Sequence, residues 1–142
     1  MRGIYVALLL LKKAEKIRIG KLGEIGFSPG YYAYVGSAQN SLERRIERHL
    51  RRNKKLKWHI DYLLKHAAVK EVWIKENVPK REECSTAKSF AEKFSPVSKF
   101  GASDCACESH LFFSRNLEKM RNLLEKLNFV KFHSSTISAS NS

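Results

Sequence analysis

The sequence predicts an α/β (α+β) domain, with a small, mainly antiparallel, three-stranded central sheet flanked by helices. Three observations carry that expectation. Residues 3–11 form an unbroken apolar run, residues 31–35 form a second β-favouring run, and the charged segments beyond them repeat their apolar residues at helical spacing.

Taken in order, residues 3–11 read as a strand buried on both faces, because no polar residue alternates with the apolar ones. Lys12, Lys13, Ala14, Glu15 and Lys16 make a polar turn. Ile17, Ile19 and Leu22 alternate with Arg18 and Lys21, which predicts a second strand paired with the first. Gly23, Gly26, Pro29 and Gly30 punctuate a loop. Residues 31–35 are the third strand, ended by Gly36, Ser37 and Ala38. Asn40 or Ser41 caps a helix over 41–52, whose Leu42, Ile46, His49 and Leu50 share one face. A further helix is expected over 56–66, a strand over 69–74, and a helix over 81–94 with Ala87, Phe90, Ala91 and Phe94 on one side. Residues 95–110 read as loop and 111–113 as a short strand. A last helix over 116–127 aligns Leu117, Met120, Leu123, Leu124 and Leu127. Residues 134–142 are small and polar, so the reading is a single domain over 1–133 with a disordered tail.

The chain of 142 residues is 43% hydrophobic, enough for a real core. Its charge is unbalanced: 27 Lys and Arg oppose 14 Asp and Glu, giving +13. Such an excess draws in polyanions, of which nucleic acid is the commonest, with counterion release supplying affinity. The charge concentrates between 44 and 57, where Arg44, Arg45, Arg48, Arg51, Arg52, Lys54, Lys55 and Lys57 are opposed only by Glu47. A phosphate backbone suits such a segment, and phosphate contacts position a nucleic acid without reading its bases. No apolar run reaches the ~18 residues of a membrane helix. The run over 4–11 reads as a strand rather than a signal peptide, so the expectation is a cytoplasmic protein with no membrane partner. Three cysteines do not make a disulfide framework.

Gly3-Ile4-Tyr5 opens the first strand and Tyr34-Val35-Gly36 closes the third; Leu42, Arg45 and His49 follow. This arrangement resembles the GIY-YIG nuclease superfamily. Arg45 and His49 are four apart and so share a helix side, while Arg44 competes for the arginine role. The runs Trp58-His59-Ile60-Asp61-Tyr62 and Phe100-Gly101-Ala102-Ser103-Asp104-Cys105-Ala106-Cys107 look like one small branch of that superfamily, classed as a domain of unknown function. Its members occur alone or fused to DNA glycosylases of the endonuclease-III type, and its motifs extend to His110-Leu111-Phe112.

The resemblance implies an endonuclease that hydrolyses DNA phosphodiester bonds, with a role in DNA repair and with one divalent cation, Mg²⁺ or Mn²⁺. It implies that Tyr5 or Tyr34 activates the water and that Arg45 grips the scissile phosphate. His49 and His59 would move protons, and Glu83 would hold the cation. Glu82 would point elsewhere, and Glu76 is the more distant choice. A free phenol titrates near pH ~10, so a tyrosine base needs a cation beside it. A guanidinium fork suits two phosphate oxygens. His59 and Asp61 share a face only if their run is extended. Trp58 and Tyr62 read as core. The substrate expected is DNA, single-stranded or branched forms included. The alternative is a catalytically inactive DNA- or RNA-binding module, in which the run from Tyr31 to Tyr34 stacks on unpaired bases. Cys105, Cys107 and His110, with Cys84, could make a zinc site. The C-x-C spacing and the distance back to Cys84 favour buried thiols instead, in a turn where Asp104 bonds its own backbone.

Overall fold

Gly3–Leu11 forms strand β1, and it lies mid-sheet because almost nothing along it can face water. The computed structural model describes residues 2–51, 54–102 and 105–133. In chain order the further elements are β2 (Glu15–Arg18), β3 (Glu24–Phe27), β4 (Gly30–Ala38), α1 (Leu42–Leu50), α2 (His59–Leu63) and β5 (Ala68–Glu76). They are followed by α3 (Arg81–Ala91), β6 (Ser95–Pro96), β7 (Leu111–Ser114), α4 (Leu117–Lys126) and β8 (Val130–Phe132). The fold is thus mixed α and β.

The central sheet is wider than expected. Among the described residues it has six strands in the order β6-β7-β4-β1-β5-β8, with every neighbouring pair antiparallel. The second predicted strand is corrected: β2 does not pair with β1 but with β3, Ile17 facing Ile25, in a separate hairpin. A 3-10 turn over Gly20–Leu22 closes it, helped by Gly23 at φ +83°. The glycines that suggested a loop therefore include two strand residues, Gly26 and Gly30. The helix expected over 56–66 contracts to α2. Asp61 causes this: its carboxylate accepts from the backbone N–H groups of Lys57 and Trp58, both at 2.8 Å, and fixes the helix start at His59. The predicted tail over 134–142 lies outside the described residues.

Alternation along β1 makes two cores. Tyr5, Ala7, Leu9 and Leu11 pack with Leu42 and Ile46 of α1, Ile60 and Leu63 of α2, and the hairpin's Ile17 and Phe27. Ile4, Val6 and Leu8 pack on the other face with Ala87 and Phe90 of α3 and Met120, Leu123 and Leu124 of α4. Each such side chain contributes roughly 1.5–3 kcal/mol by leaving water. Glu71 of β5 is the main buried acid on the sheet. It accepts from Trp73 Nε1 at 3.0 Å and pairs with Arg121, tying α4 to β5. Burial alone would raise its carboxyl, but Arg121 and Trp73 hold it below its ordinary value.

Candidate active site

Strand register brings the two tyrosines together. Tyr5 faces Gly36 and Ala7 faces Tyr34, so both phenols leave the same side of the sheet as diagonal neighbours. Their ring centroids are 6.3 Å apart. The ring of Tyr5 lies over Gly36, where any Cβ would collide with it. That collision is the physical reason for a glycine after Val35.

Helix α1 begins at the Ser41 cap, whose Oγ accepts from Arg44 N–H at 3.2 Å. Its inner face then carries Leu42, Ile46 and His49. The Tyr5 hydroxyl is 2.5 Å from His49 Nε2, and both residues are buried. Burial, above all, and Tyr34 push the Tyr5 phenol well above its ordinary pKa, against the pull of the Arg45 guanidinium. His49 is driven the other way, down to about 3, mainly by burial and then by Lys54. It is a neutral ring at physiological pH.

A cleft of about 210 Å³ gathers Tyr5, Tyr34, Arg45, His59, Glu83 and His110, contributed by β1, β4, α1, α2, α3 and the loop before β7. Of the two competing arginines, Arg45 lines this cleft; Arg44 is exposed on the helix. Trp58, read from sequence as core, packs half-buried against it and is also a platform: the guanidinium of Arg45 sits 4.3 Å from its ring centroid and that of Arg48 at 4.0 Å. The Gly101 N–H donates to His59 Nδ1 at 2.8 Å, which leaves the ring proton of neutral His59 on Nε2. Gly101 has φ +69°, and a Cβ there would press on Tyr34. His59 lies on a helix with Asp61, so the two do not share a face. Glu83 Oε2 is 3.2 Å from His110 Nδ1. Glu82 turns away to Lys75, 3.7 Å distant.

The basic segment divides. Arg44, Arg51, Lys55 and Lys57 are exposed. Arg48 is committed inward, donating to both oxygens of the fully buried Asp61 at 2.8 and 3.0 Å. Lys54 donates to the carbonyls of Arg48 and His49 and so closes the end of α1. Arg52 lies outside the described residues. Tyr32 is buried and donates to the Ser28 carbonyl at 2.7 Å, so it has no face for a base. Beside the cleft, and sharing Lys57 and His59 with it, lies a larger cavity of about 1040 Å³ lined also by Arg18, Lys21 and Lys99. Sequence reading missed these three cations. They stand far apart in the chain, and only the hairpin's position converges them.

A second cluster lies behind Glu83. The ligand atoms of Cys84, Cys105, Cys107 and His110 are all within 4.8 Å of one another, with Cys105 Sγ 3.3 Å from His110 Nε2. The distance along the chain that weighed against Cys84 is closed because α3 packs on β4 and β7. The set could hold a metal ion, and sulfur and imidazole donors favour zinc over magnesium. Burial, then the two neighbouring sulfurs, pushes the Cys107 thiol up to about 12. The proposed Asp104 turn lies outside the described residues.

A family model described as Domain of unknown function DUF123 matches residues 4–131. No curated protein and no solved structure gives a significant match. Among the described residues no helix is long and apolar enough to cross a membrane.

Proposed function

The chain belongs to the family Domain of unknown function DUF123, a description that names no activity, and from the cleft we propose that it is a GIY-YIG-type endonuclease hydrolysing DNA phosphodiester bonds. One observation carries this reading: two phenols, a guanidinium, an imidazole and a carboxylate from five separate elements converge on a single cleft of about 210 Å³. The chain's net charge of +13 supplies attraction for a phosphate backbone.

Glu83 fits a hard divalent cation. Mg²⁺ needs only one or two carboxylates from the protein, with substrate phosphate and water completing its shell. Such a cation would neutralise the developing phosphorane charge and the leaving oxygen. The chain's own groups divide the rest. Arg45, held over the Trp58 ring, clamps the non-bridging oxygens. Tyr5 resists ionisation and serves by hydrogen bonding, with His49 fixing its hydroxyl. Tyr34, only half-buried, takes the water's proton after losing its own to solvent, an ionisation that a cation bound at Glu83 would favour. The water oxygen attacks phosphorus, the far P–O bond breaks, and His59 Nε2–H donates a hydrogen bond to the leaving oxygen, which takes its proton from solvent. A role in DNA repair and a tolerance for single-stranded or branched substrates go with the same reading.

A second reading, a binding module for DNA or RNA without hydrolysis, is favoured by the near-complete burial of Tyr5, at 1% exposure. Incubation with labelled single-stranded, duplex and flapped DNA, with and without Mg²⁺ or Mn²⁺, separates the two. Metal-dependent cutting is expected, reduced about 10²–10³-fold in Arg45→Ala by loss of charge stabilisation. Binding without any cutting would leave the module; cutting unchanged in the variant would remove Arg45 from the site.

A further inference from the structure

We propose that Cys84, Cys105, Cys107 and His110 form a structural zinc centre, and that its histidine ligand fixes the Glu83 carboxylate in the cleft. The centre stands whether or not the cleft cuts DNA; only the value of fixing Glu83 rests on that reading.

The donor set is the first argument. Three thiols and an imidazole are a complete tetrahedral shell for Zn²⁺, with no position left over for chemistry. In such a shell Zn–S bonds of about 2.3 Å place sulfur atoms about 3.8 Å apart. The four ligand atoms already lie within 4.8 Å of one another, and the Cys105 Sγ to His110 Nε2 separation is 3.3 Å. Small side-chain rotations close the shell.

The histidine is the second argument. His110 is buried at 1% exposure. Its Nδ1 faces Glu83 Oε2 at 3.2 Å, so Nδ1 carries the proton and the Nε2 lone pair points into the sulfur cluster. A thiol is a weak donor for that lone pair, whereas a zinc ion satisfies it. A metal-bound imidazole whose other nitrogen donates to a carboxylate is the usual outer arrangement of a zinc site.

Topology gives the third argument. Cys84 is the fourth residue of α3, beside Glu83, and Cys105 stands 21 positions later in the loop that precedes β7. The centre therefore ties that loop to α3. The same loop carries Gly101, whose N–H orients His59. Both Glu83 and His59 are thus positioned from the metal. Cys105 and Cys107 also line the larger cavity, which provides an entry path.

Metal analysis of the purified full chain, kept in reducing buffer, is expected to find one zinc per chain. Replacement by Co²⁺ is expected to give the d–d and thiolate charge-transfer bands of a tetrahedral site. Cys107→Ser should lose the metal. Cys84→His, which exchanges one zinc ligand for another, should keep it, and covers the case in which the serine variant fails to fold. Glu83→Ala should retain zinc but bind it about 10–100-fold more weakly against a chromogenic chelator, because its histidine ligand loses its carboxylate. Absence of zinc from the purified chain, with no cobalt spectrum on titration, would overturn the centre. A normal spectrum with zinc affinity unchanged in Glu83→Ala would overturn the link to the cleft. None of these readouts depends on DNA cleavage.

Discussion

The Tyr5 hydroxyl and His49 Nε2 stand 2.5 Å apart and join β1 to α1. The other ring nitrogen, Nδ1, is buried and has no hydrogen-bond partner among the described residues. The pair holds a cleft group in place and makes the fold sensitive to acid.

The sign follows from the direction of the shift. His49 falls from an ordinary 6.5 to about 3 in the fold, so the unfolded chain binds the extra proton between those values. Its contribution to stability is complete above about pH 6.5 and drains away as pH falls toward 3. Asp61 and Glu71 are held below their ordinary values, so their contributions persist to lower pH before declining. Urea unfolding at stepped pH should show stability falling from pH ~6.5 downward in the wild type, and a flatter profile to pH ~4.5 in His49→Gln. Parallel profiles would mean that His49 is not the responsible group.

Arginines in one helix should separate by role. Arg48→Ala leaves the buried Asp61 carboxylate unpaired and should cost about 3 kcal/mol. Arg44→Ala, on the exposed face, should change stability by less than about 0.5 kcal/mol. Thermal unfolding of the two variants side by side decides this, and equal losses would contradict the pairing seen here.

Gly36→Ala places a methyl group against the Tyr5 ring. The strand cannot yield, because Gly36 is paired to Tyr5 across the ladder. A loss of about 1–3 kcal/mol is expected from overpacking. Near-ultraviolet circular dichroism should change as the ring is displaced, and a silent substitution would mean that the ring is free to move aside.

Nucleic-acid binding should weaken steeply with salt. If the strand continues from the cleft into the larger cavity, Arg18→Ala and Lys21→Ala should each lower the log–log salt slope by about one. Slopes equal to the wild type's would route the strand along the exposed face of α1 instead.

Much of this architecture was legible because single elements carry their own period. β1, β4 and β5 announce themselves by continuous apolar or β-branched residues, and α1, α3 and α4 by apolar residues three and four apart. The failures were the pairing of β2 and the short strands β3, β6 and β8, which were read as loop or not seen. Nothing in Ile17 or Ile25 says that they face each other instead of β1, and the three residues of β8 carry too little pattern to be seen. The site divides in the same way. Tyr5, Tyr34, Arg45 and Glu83 were named through the motif resemblance and are found in one cleft. The inward turn of Arg48, the platform made by Trp58 and the approach of Cys84 to Cys105 depend on packing between distant elements, which no local window contains.

The cleft draws on residues from Tyr5 to His110, and that span sets a schedule. At about 5–20 residues per second, a ribosome delivers Tyr5 on the order of ten seconds before His110. From the synthesis of α1 until that of His110, the growing chain carries the cations of α1 and no assembled cleft. Attraction to polyanions thus precedes whatever chemistry the cleft performs, so the topology imposes a latency during synthesis without any inhibitory segment.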